Sequence, residues 1–226
     1  MDIFKARNWA DHGYNAIIFD LDGVIVSTDV YHYRAWKRLA DSYGIYFDEK
    51  INNRLRGVSR MESLEIILER SGKIFTSDEK VLMADTKNIY YRELLEQMSP
   101  SDVSAQVSYT LERLRQSQIK LAIGSSSKNA RFILERVGLV DFFDAISDGN
   151  NITHNKPDPE VFLKASKILG IMPPECAVVE DAKSGIIAAK RAGMFAVAIH
   201  DAAGCPEADI SIGTFSELPA AIGLML

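Results

Sequence analysis

The sequence predicts an α/β protein, a Rossmann-like core on a mostly parallel sheet that carries an inserted α-helical cap. Three observations predict it. Short apolar runs without polar alternation recur along the chain, each followed by a helical pattern, as βα units buried on both faces require. That rhythm lapses between Asp29 and about Met98, where only amphipathic helical stretches occur. Paired acids stand directly after two of the apolar runs, where the carboxyl ends of parallel strands meet ligands.

In chain order, Ala16-Ile17-Ile18-Phe19 is the first predicted strand and ends abruptly at Asp20. Tyr31, Ala35, Leu39 and Tyr43 then recur every four residues, which predicts a helix. Ser59 with Glu62, and Thr76 with Glu79, read as capping boxes at two further helix starts. Ser99-Pro100-Ser101-Asp102 breaks the helical pattern and is the expected return linker. Leu121-Ala122-Ile123, the weaker run Phe142 to Ile146, Ala177-Val178-Val179 and Phe195 to Ile199 are the remaining predicted strands. Asp158 is expected to cap a helix whose first residue is Pro159, and Gly138, Gly170 and Gly193 close three helices. The expected division is a catalytic core of 1–26 and 100–226 with a helical cap of 27–99.

Composition bounds the function. Lys and Arg number 26 against 31 Asp and Glu, so the net charge is −5, and no basic cluster offers a nucleic-acid surface. No apolar run approaches the length of about 18 residues that a membrane span needs. Met1 to Gly13 lacks the apolar stretch of a signal peptide. Cys176 and Cys205 have no CxxC partner, which argues against a zinc site or a disulfide framework. The expectation is a cytoplasmic monomer that acts on a small molecule, not on nucleic acid or membrane.

The residues just beyond the predicted strands carry the chemistry. Asp20 and Asp22 stand after the first, Ser125 after the second, Glu180 and Asp181 after the fourth, and Lys156 sits in the Asn155-Lys156-Pro157 loop after the third. Four carboxylates converging on one sheet edge repel one another and call for a cation. An all-oxygen set with room for water and phosphate suits Mg²⁺. The constellation reads as a phosphoryl-transfer site. Asp20 can attack phosphorus to give an aspartyl phosphate, and Asp22 is placed to move the proton of the leaving and accepting oxygens. Lys156 and Ser125 can hold the non-bridging oxygens, while Gly23 permits the tight turn between the acids and the phosphate.

Phe19-Asp20-Leu21-Asp22-Gly23-Val24-Ile25, followed in order by Ser125, Lys156-Pro157 and Glu180-Asp181, resembles the haloacid dehalogenase superfamily. Within it, Tyr31-His32-Tyr33-Arg34-Ala35-Trp36-Lys37, Arg56-Gly57-Val58-Ser59-Arg60 and Ser125-Ser126-Ser127-Lys128-Asn129 resemble the β-phosphoglucomutase family, a likeness running from about Tyr14 to about Asp209. That resemblance implies an intramolecular phosphotransferase, or phosphomutase. It would convert β-glucose 1-phosphate to glucose 6-phosphate through β-glucose 1,6-bisphosphate. By position, Asp20 would be the nucleophile and Asp22 the acid/base. Mg²⁺ would be held by the Asp20 side chain, the Asp22 backbone carbonyl, Glu180 and Asp181. Ser125 and Lys156 would grip the transferring phosphate, and Arg60 the distal one, with Ser127 and Asn129 helping. His32 and Lys87 would couple substrate arrival to the positioning of Asp22, and Trp36 and Leu55 would line the substrate cleft.

Some of these residues also have plainer readings. His32 and Trp36, four apart on one helix face, form a common packing pair. Ser127 can be the N-cap of a helix beginning near Lys128, and Lys87 lies on an exposed-looking polar stretch. Arg60 in a first helical turn opposes the helix dipole, which favours a ligand role. The chain departs from the family pattern at Ser27, where most relatives carry an acid, and at Ser104-Ala105-Gln106, which replaces a Pro-Gly turn. A sugar-phosphate phosphatase of the same fold and a non-catalytic phosphate-responsive binding domain remain open as alternatives.

Overall fold

The computed structural model describes residues 14–55 and 58–224. Arg56 and Gly57 of the Arg56–Arg60 motif, and the extension 1–13, lie outside the described residues. The chain forms two compact units, one running to Ser27 and resuming at Pro100, the other Thr28–Ser99.

The first unit is built on a six-stranded parallel sheet in the order β3-β2-β1-β4-β5-β6. The strands are β1 (Ala16–Phe19), β2 (Lys120–Gly124), β3 (Ala145–Ser147), β4 (Cys176–Glu180), β5 (Phe195–Ala198) and β6 (Ile210–Ser211). Every residue of β1 and of β4 is buried, as the apolar runs Ala16–Phe19 and 176–179 require of strands covered on both faces, and the Glu180 that ends β4 is buried with them. The chain winds outward from β1 in both directions, so the gap between β1 and β4 is the topological switch point, where such sheets bind ligands.

The second unit holds α1 (Asp29–Ser42), α2 (Glu49–Asn53), α3 (Arg60–Leu68) and α4 (Ser77–Leu95). Both predicted capping boxes form: Ser59 and Thr76 accept from the backbone N–H of Glu62 and Glu79, whose carboxylates accept in return from the cap backbone. Its apolar centre gathers Trp36, Leu39, Ile51, Leu55, Leu64, Ile67 and Met83.

Around the sheet lie α5 (Ala105–Gln116), α6 (Ala130–Arg136), α7 (Glu160–Leu169), α8 (Lys183–Arg191) and α9 (Leu218–Ala221). Ser104, part of the departure from the Pro-Gly turn, caps α5 by accepting from the Val107 N–H at 3.2 Å. Several boundaries differ from expectation. Helix α7 starts at Glu160 rather than Pro159: Pro159 is the capping residue, its C=O accepting the first helical bond from Leu163 N–H at 3.0 Å, and the Asp158 carboxylate accepts from the Glu160 N–H at 2.9 Å. Helix α6 starts at Ala130, not near Lys128, and the Ser127 hydroxyl instead closes the preceding turn by accepting from Asn129 N–H. Strand β3 omits Phe142 and Phe143, whose rings pack edge to face in the turn before it. The short β6 has no counterpart among the predicted strands: its two residues are exposed and carry no apolar run. Among the described residues, no helix is long and apolar enough to cross a membrane.

Candidate active site

Strand register builds the site. Phe19 pairs with Ile123 on β2 and with Val179 on β4, so Asp20 emerges level with Gly124 and Glu180 at the carboxyl edge of the sheet. The Asp20 N–H still donates to Val179 C=O at 2.9 Å, which holds its carboxylate at that edge. The chain then turns back on itself, with Gly23 N–H donating to Val26 C=O at 2.9 Å and Val26 N–H to Leu21 C=O at 3.1 Å. Gly23 has φ +81°, and a β-carbon on it would lie 1.9 Å from Asp181 Oδ2. Only glycine allows both that backbone and that approach.

Lys156 reaches the edge from the β3–α7 loop. Its ammonium donates to Asp20 Oδ1 at 2.5 Å and to Glu180 Oε2 at 2.8 Å, and its side chain is 8% exposed. It also lies 4.7 Å from the centre of the Phe162 ring. The loop is tied down behind it. Glu160 Oε2 accepts from the N–H groups of Thr153 and His154 at 2.9 and 2.7 Å, and Arg191 donates to Pro157 C=O at 3.0 Å.

Oxygens of Asp20, Glu180 and Asp181 lie within 4.8 Å of one another. Burial, and then the neighbouring carboxylates, push Asp181 well above the ordinary carboxyl range, and burial outweighs the pull of Lys156 on Glu180 in the same direction. Burial would lower Lys156, but attraction by Asp20 and Glu180 overcomes it and raises the ammonium above its usual value. One ammonium therefore faces more buried negative charge than it balances. This hard, all-oxygen donor set fits a divalent cation such as Mg²⁺. A second group, His154, Asp158 and Glu160, fits less well, because Glu160 is already taken by two backbone donors and Lys164.

The remaining expected residues of this unit share one turn after β2. Ser125 is buried, its N–H donates to Ser147 C=O, and its hydroxyl accepts from Ser127 N–H at 3.2 Å. Asn129 is buried at the end of that turn. In the helical unit, Lys87 is 2% exposed, so the expectation of an exposed stretch is corrected at this position. Helix α4 turns Lys87 inward, where Nζ lies 2.8 Å from His32 Nδ1 and 4.8 and 4.6 Å from the rings of Trp36 and Tyr91. The His32 ring is held below its usual pKa by burial first, then by Lys87 and Arg60. Trp36 and Leu55 belong to the apolar centre of this unit. Arg60 opens α3 and donates to Asn88 Oδ1 at 2.9 Å.

Sequence reasoning missed Gly185, Glu160 and His200. Gly185 follows Glu180 by five residues on α8 and lets the helix backbone approach the acid. For Glu160, the signal was an acid in the first turn after Pro159. For His200, whose Nδ1 lies 2.8 Å from Gly23 C=O, the signal was its place directly after the predicted strand Phe195 to Ile199.

Residues 17–199 match the family model of the haloacid dehalogenase-like hydrolases. The chain is 42% identical over 205 residues to a β-phosphoglucomutase of Bacillus subtilis, covering 90% of this chain and 91% of that protein. It is 34% identical over 182 residues to a phosphorylated carbohydrates phosphatase of Thermotoga maritima, covering 79% and 82%. Its fold superposes on a crystal structure of a β-phosphoglucomutase from Clostridium difficile with a TM-score of 0.81 and 40% identity, covering 91% and 93%. The motif order, the parallel sheet and the edge chemistry agree with these matches: the chain belongs to the haloacid dehalogenase-like hydrolase family.

Proposed function

We propose that the protein is a Mg²⁺-dependent phosphomutase that interconverts β-glucose 1-phosphate and glucose 6-phosphate through β-glucose 1,6-bisphosphate. The observation that carries the phosphoryl-transfer part is the buried bridge from Lys156 to Asp20 and Glu180, with Asp181 against the Gly23 turn. The mutase part is supported by likeness to two β-phosphoglucomutases at 42% and 40% identity over about nine-tenths of the chain.

In this reading the Asp20 carboxylate attacks phosphorus, the bond from phosphorus to the sugar oxygen breaks, and an acyl phosphate forms on Asp20. Asp22 gives the departing oxygen its proton and takes one from the accepting hydroxyl in the return step. Lys156 and Ser125 hold the non-bridging oxygens, and Ser127 and Asn129 help Arg60 with the distal phosphate. The Asp20 side chain, the Asp22 carbonyl, Glu180 and Asp181 would hold Mg²⁺, which when bound offsets the charge of the acids and of the phosphate. Arg60 takes the phosphate that is not reacting, and His32 and Lys87 act with the substrate on the placement of Asp22. Trp36 and Leu55 shape the sugar's surroundings.

The test is ³¹P NMR of the purified protein with Mg²⁺, each glucose 1-phosphate anomer in turn, and a trace of the bisphosphate. Glucose 6-phosphate growing from the β anomer without inorganic phosphate is the expected result. Release of inorganic phosphate instead selects a sugar-phosphate phosphatase. Asp20→Asn should lower turnover by several orders of magnitude. Activity within about tenfold of wild type, a barrier change of roughly 1.4 kcal/mol, would end the covalent reading.

A further inference from the structure

We propose that His200 is a positioning residue for the phosphoryl-transfer turn, clamping the Gly23 carbonyl from the end of β5. The inference rests on the reading of the Asp20–Gly23 turn as catalytic.

Two independent features single out His200. Its backbone has φ +52°, a left-handed value that Gln118 alone shares among the described non-glycine residues. Gln118 follows the end of α5, where such a residue is ordinary. His200 instead opens a short 3₁₀ turn, His200–Ala202, and is exposed, so neither helix termination nor burial accounts for the strain. What the conformation achieves is the contact: the imidazole Nδ1 sits 2.8 Å from Gly23 C=O. A carbonyl only accepts, so Nδ1 carries the proton.

The contact skips a strand. In the sheet β4 lies between β1 and β5, so the ring reaches from the β5 edge past the end of β4 to the turn after β1. The preceding residue, Ile199, donates its N–H to Glu180 C=O at 3.0 Å. Two successive residues thus fasten the end of β4 and the β1 turn, on either side of Asp181. Gly23 is the pliable point of that turn, and both of its backbone polar groups are held, the N–H by Val26 C=O and the C=O by His200. The Gly23 N–H shares its peptide plane with Asp22 C=O, so fixing the planes on both sides of Gly23 fixes the direction of that carbonyl.

Three variants of the full chain separate the ring contact from the backbone. His200→Gly relieves the left-handed strain and removes the donor, His200→Ala removes the donor and keeps the strain, and His200→Asn tolerates the conformation and restores an N–H donor. The readouts are kcat and KM for isomerisation, the melting temperature, and the Asp22 and Gly23 amide resonances of metal-free protein. For His200→Gly the expected result is a kcat about tenfold lower, from misplacement of reacting groups, with KM and melting temperature close to wild type. Its Asp22 and Gly23 resonances should broaden or move, and His200→Asn should recover most of kcat and the native resonances. Unchanged resonances and kcat in His200→Gly would overturn the proposal, as would a loss that follows melting temperature and is not recovered by Asn. A wild-type protein that transfers no phosphoryl group would defeat the functional reading, while the resonances would still decide whether His200 orders the turn.

Discussion

Gly185 stands so close to Glu180 that a β-carbon built on it would lie 2.0 Å from the Glu180 carboxyl carbon. The first turn of α8 thus packs its backbone directly onto an acid of the proposed metal site. Helix propensity alone would make Gly185→Ala favourable by about 1 kcal/mol. Sterics reverse that expectation, because the Glu180 side chain is 2% exposed and tied to Lys156 and to the Ala182 N–H, so it has nowhere to swing. Gly185→Ala should keep its helical circular dichroism and lose Mg²⁺ affinity by about ten- to a hundredfold, the range for disturbed support of a metal ligand. Calorimetric Mg²⁺ titration checks it, and an unchanged affinity would mean that Glu180 has room to move.

Metal removal should cost stability. Asp20, Glu180 and Asp181 converge around the single ammonium of Lys156, and burial first, with the neighbouring carboxylates adding to it, raises the Glu180 and Asp181 carboxyls. Mg²⁺ at a hundred times its Kd should stabilise the fold by about 2.7 kcal/mol by mass action, and a chelator should remove that gain. Glu180→Gln should narrow the gap between the two melting curves. Coincident curves for wild type with Mg²⁺ and with chelator would show that these acids do not gather an ion.

The loop that carries Lys156 should loosen in acid. Glu160 is held down to a pKa of about 2, chiefly by hydrogen bonding to Lys164 and to the His154 N–H. A carboxyl lowered in the folded state contributes stability above its unfolded value, here 4.5, and loses that contribution as pH falls toward 2. The Thr153 and His154 amides, which donate to Glu160, should therefore lose hydrogen-exchange protection across that window, after correction for intrinsic rates. In Glu160→Gln the protection should be low and flat with pH. Protection in the wild type that does not change between pH 5 and 2 would sink the assignment.

Much of the fold was legible because its signals are local. Ala16–Phe19 is apolar at every position, Ser59 and Thr76 each have their acid three residues on, and Gly138, Gly170 and Gly193 follow helix ends. The acids after β1 and β4 were legible for the same reason, since parallel strands deliver the residues beyond their carboxyl ends to one edge. The features that escaped depend on tertiary approach. Lys87 looks solvated in sequence, and only the packing of α4 against α1 turns it toward His32. The roles of Gly185 and His200 come from distances between segments of the folded chain, which no periodicity records. Strand β6 exists through its pairing with Val197 and Ala198, not through any apolar run of its own.

Arg60 separates a mutase from a phosphatase. It is the first residue of α3, behind the Ser59–Glu62 capping box, where a cation opposes the helix dipole and adds no stability. Its hydrogen bond to Asn88 engages one nitrogen of the guanidinium fork, which leaves further donors for a ligand. A mutase must bind a bisphosphate in two orientations, so the phosphate that is not reacting needs its own cationic partner, whereas hydrolysis of a small phosphate does not. Arg60→Ala should weaken bisphosphate binding by about 1.5–3 kcal/mol, the range for a hydrogen bond to a charged group. Isomerisation should fall by a similar factor in kcat/KM, roughly tenfold to a hundredfold. Hydrolysis of acetyl phosphate, which has no distal phosphate, should change little. Both rates are to be measured on one preparation of the variant. Equal losses, or none in either, would remove Arg60 from the distal-phosphate role and shift the balance toward a phosphatase.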